Sequence, residues 1–112
     1  MDCIFCVIAN GSIPSSKVYE DDTMLAFNDI NPQAPIHVLV IPKEHIPSVD
    51  AINAQNADTV AKIFAKIPEI AKAAGLVNGY RVISNCGPDA CQSVPHLHFH
   101  LLGGKQLADS MG

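Results

Sequence analysis

The chain has 112 residues, 48% of them hydrophobic, with seven basic and eleven acidic side chains giving a net charge of −4. That size fits one domain, residues 1–112, with a modest core. No run of Lys or Arg collects anywhere, which argues against general nucleic-acid or anionic-membrane binding. No apolar stretch reaches the ~20 residues needed to span a bilayer, and the start, MDCIFCVIANG, lacks a charged region followed by a long apolar one. The protein is therefore expected in the cytoplasm, with its four cysteines as thiols or metal ligands rather than a disulfide framework.

In chain order, apolar residues at 4, 5, 7 and 8 followed by Asn10-Gly11 predict one or two helical turns. Cys3 and Cys6 then share one side, a spacing that fits half a zinc site, a redox dithiol or a pair of inert thiols. Lys17–Asn28 reads as a hairpin around the acidic turn Asp21-Asp22. Asp29 follows at a strand end, where a carboxylate is either a turn former or an acceptor for the vicinal hydroxyls of a ribose. His37–Pro42 is a nearly continuous apolar strand ended by proline. His45 comes next in a turn, as a surface residue or a third zinc ligand. Apolar residues at helical spacing from Asn53 to Gly75 predict the one long helix, with Pro68 inside it. Gly79–Asn85 is a fourth strand, and the loop 86–93 leads into the last.

That last stretch, QSVPHLHFHLLGG from Gln92 to Gly104, organises the chain. Alternation puts His96, His98 and His100 on one face of an extended segment and Leu97, Phe99 and Leu101 on the other. A row of imidazoles about 7 Å apart can hold a metal, or combine a nucleophilic nitrogen with proton donors. No glycine-rich nucleotide loop is present, so any phosphate falls to the 86–93 loop and the histidines. Short connections around a single long helix predict an α+β domain, a mainly antiparallel sheet with helices on one face.

The His-Leu-His-Phe-His-Leu-Leu run, with Phe27–Ile46 (FNDINPQAPIHVLVIPKEHI), Gln92-Ser93-Val94 and Gly103-Gly104, resembles the histidine triad (HIT) superfamily and its Hint branch. The resemblance covers nearly the whole chain. It implies the HIT fold, a five-stranded sheet with one long and one or two short helices. It also implies a purine nucleotide phosphoramidase, a hydrolase that cleaves the P–N bond of AMP- or GMP-amine conjugates and needs no cofactor for catalysis. His98 is then the nucleophile, forming a nucleotidyl-histidine. His96 and His100 hold charge or supply protons, and His37 completes the proton network. The Ser93 hydroxyl and the N–H groups of Cys91, Gln92 and Ser93 take the phosphate, Asn85 the phosphate or leaving-group side, and Asp29 with Ile30 the ribose side. Ile4, Phe5, Ile8 and Phe27 sandwich the base, with plain core packing as the alternative for each.

The same resemblance implies a homodimer and, as in some bacterial relatives, a structural zinc on Cys3, Cys6, His45 and His96. Dinucleotide polyphosphate hydrolysis, nucleotidyl transfer and a non-catalytic nucleotide- or zinc-binding adaptor are the competing readings. Two departures stand out. Cys91 occupies a position that is often glycine in the branch, and the tail has no tryptophan.

Overall fold

The computed structural model describes residues 3–111. Its elements are α1 (Ile4–Ala9), β1 (Lys17–Glu20), β2 (Met24–Asn28), β3 (Ile36–Pro42), α2 (Ala57–Ala73), β4 (Arg81–Ile83) and β5 (Phe99–Gly103), with 3-10 turns at Val49–Ala51 and Pro88–Ala90. The five strands form one antiparallel sheet in the order β1-β2-β3-β5-β4. This is the α+β architecture the sequence predicts, with one long helix and one short.

β3 is central and apolar at almost every position, and every residue from His37 to Pro42 is buried. A strand of that composition needs cover on both faces. On one face Val38 and Val40, with Met24, Ala26, Phe99 and Leu101 beside them, pack under Ile63, Ile67 and Ile70 of α2. On the other Leu39 and Ile41, with Leu25 and Phe27, pack under Phe5 and Ala9 of α1. The expectation of helices on one face is thus corrected: α1 lies opposite α2.

Three boundaries also differ from the sequence reading. The long helix begins at Ala57 rather than Asn53. Residues 53–56 are occupied by reciprocal Asn caps, in which Asn53 Oδ1 accepts from the Gln55 and Asn56 N–H groups and Asn56 Oδ1 accepts from the Asn53 N–H. Pro68 is accommodated on the exposed side of α2, where water can serve the Phe64 carbonyl left without its helical partner. β4 shrinks to Arg81–Ile83, because Gly79 takes φ +97° and Ser84 leaves the ladder to donate its hydroxyl to the His98 carbonyl at 2.9 Å.

The third difference matters most for the site. β5 pairs with β3 only from Phe99 onward. Continuing the register would set Leu97 opposite Pro42, which has no N–H to give. The Leu97 N–H turns instead to the Ile46 carbonyl at 2.6 Å. His96 and His98 therefore precede the strand, although the alternation persists, with Leu97, Phe99 and Leu101 in the α2 core.

Candidate active site

The alternation aims all three histidines at the α1 side of the sheet, but the end of the ladder divides them between two clusters. His98 and His100 face a cavity of about 390 Å³ under α1, and their ring centroids are 5.0 Å apart. Ile4, Phe5 and Ile8 of α1 and Phe27 of β2 form its apolar wall, while Asp29, Ser93 and the two histidines supply its polar groups. Ile30 stands at the rim, fully exposed. Ile13, Pro14, Leu39 and Val94 also line the space. Sequence reasoning gave these four no role in the site, although the β3–β5 register pairs Leu39 with His100.

Hydrogen bonds fix where the protons sit. Nδ1–H of His98 donates to the His96 carbonyl at 2.7 Å, so Nε2 keeps its lone pair. Nδ1 of His37 accepts the Gln33 N–H at 3.0 Å, so its proton is on Nε2, which donates to His100 Nδ1 at 2.8 Å. His100 in turn carries its proton on Nε2. The two rings thus form a relay ending in a donor, with Asp29 Oδ2 3.4 Å from His37 Nε2. Burial drives the His100 imidazole down to about 4, helped by His98 and His37 and opposed by Asp29. Burial also lowers His37, against the pull of the Asp29 carboxylate. Both rings are neutral near pH 7, and a neutral ring with Nε2–H is a hydrogen-bond donor rather than an acid.

His96 belongs to the second cluster. It is fully buried, and its Nε2–H donates to the Pro42 carbonyl at 2.9 Å. The bare Nδ1 faces Cys3 Sγ at 3.2 Å, Cys6 Sγ at 3.5 Å and His45 Nδ1 at 3.2 Å, with Cys6 Sγ 3.2 Å from His45 Nδ1. A zinc tetrahedron with arms of about 2.0–2.3 Å has edges of about 3.3–3.8 Å. Four of the six edges thus match a zinc tetrahedron to within a few tenths of an ångström, and all four atoms lie within 4.8 Å of one another. The Pro42 carbonyl behind His96 is the outer partner that orients a ligating imidazole. Without a cation, burial and the neighbouring Cys3 sulfur push the Cys6 thiol up to about 11. A bound cation reverses that direction by favouring the thiolate. Zinc held by two cysteines and two histidines has no open position, so its chemistry there is structural.

Of the other residues named from the sequence, Asn85, Cys91 and Gln92 are not among those lining the cavity. Gln92 is engaged in building the loop: its Oε1 accepts the Gly87 N–H at 2.9 Å, and its amide donates to the Pro47 and Val94 carbonyls at 2.8 and 3.0 Å. Cys91 is exposed and takes φ 60° and ψ 38°, the left-handed region that glycine occupies freely. His37 sits behind His100 rather than on the cavity surface. A second cavity of about 390 Å³ lies along Gly75–Gly79 and Gly104–Gln106, where Lys105 is the one ionisable side chain.

A family model described as the HIT domain matches residues 10–107. The chain belongs to the HIT family. A 14 kDa zinc-binding protein of Brassica juncea is 43% identical, with 95% of this chain and 96% of that protein covered. The adenylylsulfatase HINT1 of Arabidopsis thaliana is 42% identical over 93% of this chain and 72% of its own length. Among solved structures, a HIT family hydrolase from Legionella pneumophila superposes with a TM-score of 0.94 at 44% identity, covering 99% of this chain and all of that one. The HIT fold, with its antiparallel sheet, is common to chain and relative. Among the described residues no helix is long and apolar enough to cross a membrane.

Proposed function

We propose that the protein is a purine nucleotide phosphoramidase that hydrolyses AMP- or GMP-amine conjugates through a nucleotidyl-His98 intermediate. The observation that carries this reading is the fixed His98 tautomer, which presents a nucleophilic Nε2 lone pair at an apolar cavity wide enough for a nucleoside. Nε2 attacks the α-phosphorus, the N–P bond to His98 forms as the P–N bond to the amine breaks, and the amine leaves with a proton from solvent. Water then attacks phosphorus, releasing the mononucleotide and restoring the free imidazole. The His100 Nε2–H and the Ser93 hydroxyl offer hydrogen bonds to the nonbridging oxygens, where negative charge builds. Asp29 uses Oδ1 to hold the Asn31 N–H at 2.8 Å and has lone pairs left for ribose hydroxyls. Phe5 and Phe27, edge to face at 5.8 Å, supply apolar surface for a purine.

A homodimer belongs to the same reading. β4 is an edge of the sheet, and Val82, Tyr80 and Phe64 are more than a third exposed. A structural zinc on Cys3, Cys6, His45 and His96 and a cytoplasmic location complete it.

A second reading changes only the leaving group. The Arabidopsis relative is by name an adenylylsulfatase, and attack by His98 on an adenylyl sulfate would expel sulfate instead of an amine. Rapid-quench incubation with labelled adenosine phosphoramidate and, in parallel, labelled adenylyl sulfate tests both. The expected result is nucleotide bound covalently to the wild type, absent from His98→Ala, with AMP released from the phosphoramidate. Label and AMP from the sulfate alone favour the second reading. Tight AMP binding with neither label nor release refutes both and leaves a nucleotide-binding adaptor.

A further inference from the structure

The two clusters are joined through one residue and one ring. His96 contributes its Nδ1 to the cysteine cluster, and its carbonyl accepts the His98 Nδ1–H at 2.7 Å. A single peptide segment thus carries a metal-facing nitrogen and the acceptor that sets the tautomer of His98. Because His96 lies ahead of the β5 ladder, no strand pairing holds it. Its anchors are the Pro42 carbonyl on Nε2, the Val94 carbonyl on its own N–H and the cluster itself. The ring is Phe5, between Cys3 and Cys6 in sequence. It meets His98 edge to face at 5.1 Å and His96 at 5.9 Å. α1 has only six residues, too few to hold itself in place, and its cap is the Cys3 sulfur, which accepts the Cys6 N–H at 3.3 Å.

We infer that Cys3, Cys6, His45 and His96 are positioning residues for His98. Zinc held by them locks the His96 carbonyl and the Phe5 ring, and through these the orientation and tautomer of the His98 imidazole. Loss of zinc frees α1 and His96 together, so His98 samples both tautomers and the cavity wall loosens. The inference rests on the role proposed for His98 but is read out on the ring itself. Coupling of this kind is reciprocal: if zinc favours the nucleotide-ready site, the nucleotide must favour zinc by the same factor.

The test uses full-length protein labelled with ¹⁵N-histidine. Zinc-loaded protein is expected to show His98 as one tautomer, protonated at Nδ1. Chelator-stripped protein and Cys6→Ser are expected to show averaged His98 nitrogen shifts. Should the stripped forms unfold, the decisive measurement starts from loaded protein: zinc affinity, read by equilibrium competition with a chelator, with and without saturating AMP. AMP is expected to tighten zinc binding about fivefold or more, the lower end of ordinary coupling. A protein that takes up no zinc overturns the inference. So does a folded, stripped protein whose His98 signals are unchanged, or zinc affinity that is the same with and without AMP in protein that binds AMP. Absence of phosphoramidase turnover alongside a zinc-dependent His98 tautomer would refute the proposed reaction and leave the positioning role standing.

Discussion

His37 Nε2 donates to His100 Nδ1 at 2.8 Å, and the Gln33 N–H on the far side of His37 makes that the only direction the bond can run. The relay keeps the proton of His100 on Nε2, the nitrogen proposed to meet the phosphate. His37→Phe removes the donor while filling the space. It is expected to lower kcat on adenosine phosphoramidate about 10- to 100-fold with little change in KM, less than the 10²–10³ that follows from deleting an oxyanion donor outright. His37→Gln, whose amide can still donate, is expected to recover part of the loss. Steady-state kinetics on the two variants checks this, and an unchanged kcat in His37→Phe would remove the relay from the mechanism.

The same burial makes stability depend on pH. His100 falls from 6.5 to about 4 on folding, so between those values the unfolded chain binds the proton and the folded one does not. Stability is therefore full above about 6.5 and declines as pH falls toward about 4, by up to about 3 kcal/mol at ~1.4 kcal/mol per pH unit. His37, lowered by burial as well, acts in the same direction. Glu20 is held at about 2 chiefly by hydrogen bonds from Lys17 and Lys43, and its loss comes in a separate window, below about 4.5. Urea midpoints from pH 7 to pH 4 should fall less steeply in His100→Gln than in the wild type.

The histidine row is legible in the sequence because a period of two survives even where the strand does not. Its division is not legible in the alternation itself; only the resemblance set His96 apart with Cys3, Cys6 and His45, the four residues that the structure brings together. The division depends on Pro42 ending the β3 ladder opposite Leu97, a consequence of the β3–β5 register across more than fifty residues of sequence. The pairing of His37 with His100 depends on the same register. Asp29 and the Cys3–Cys6 pair stand out locally, but the nearness of His45 and His96 to those sulfurs rests on the turn at 43–46 and on the Leu97 bond to Ile46. The side chosen by α1 could not be read from six residues, which span too few turns to define a stripe. It follows instead from β3, whose unbroken apolar run leaves a second face to cover.

Cys91 is the one described non-glycine residue at positive φ. A side chain in the left-handed region costs about 1–2 kcal/mol, whereas glycine there loses about 0.4–1 kcal/mol through its freer unfolded chain. Cys91→Gly is thus expected to stabilise the protein by up to about 1 kcal/mol, raising the thermal midpoint by a few degrees without altering AMP affinity. Cys91→Ala keeps the Cβ and should give no such gain. Differential scanning calorimetry on the pair checks the assignment of the strain to the backbone.

Phe5 bears the heaviest double duty in α1. Its ring fills the α1 side of the core, 8% exposed, and lies edge-on to Phe27, His96 and His98. Truncation removes a whole aromatic from that small cluster, at about 3 kcal/mol, and takes away one wall of the cavity. Phe5→Leu separates the two roles, because leucine restores most of the buried volume for a cost near 1 kcal/mol but offers no ring to a purine. If Phe5 serves only the core, Phe5→Leu binds AMP as the wild type does. If it also holds the base, calorimetric titration should show AMP affinity down about 3- to 10-fold in Phe5→Leu, in line with the ~0.5–1.5 kcal/mol of an aromatic pair, while ribose 5-phosphate binds equally to both.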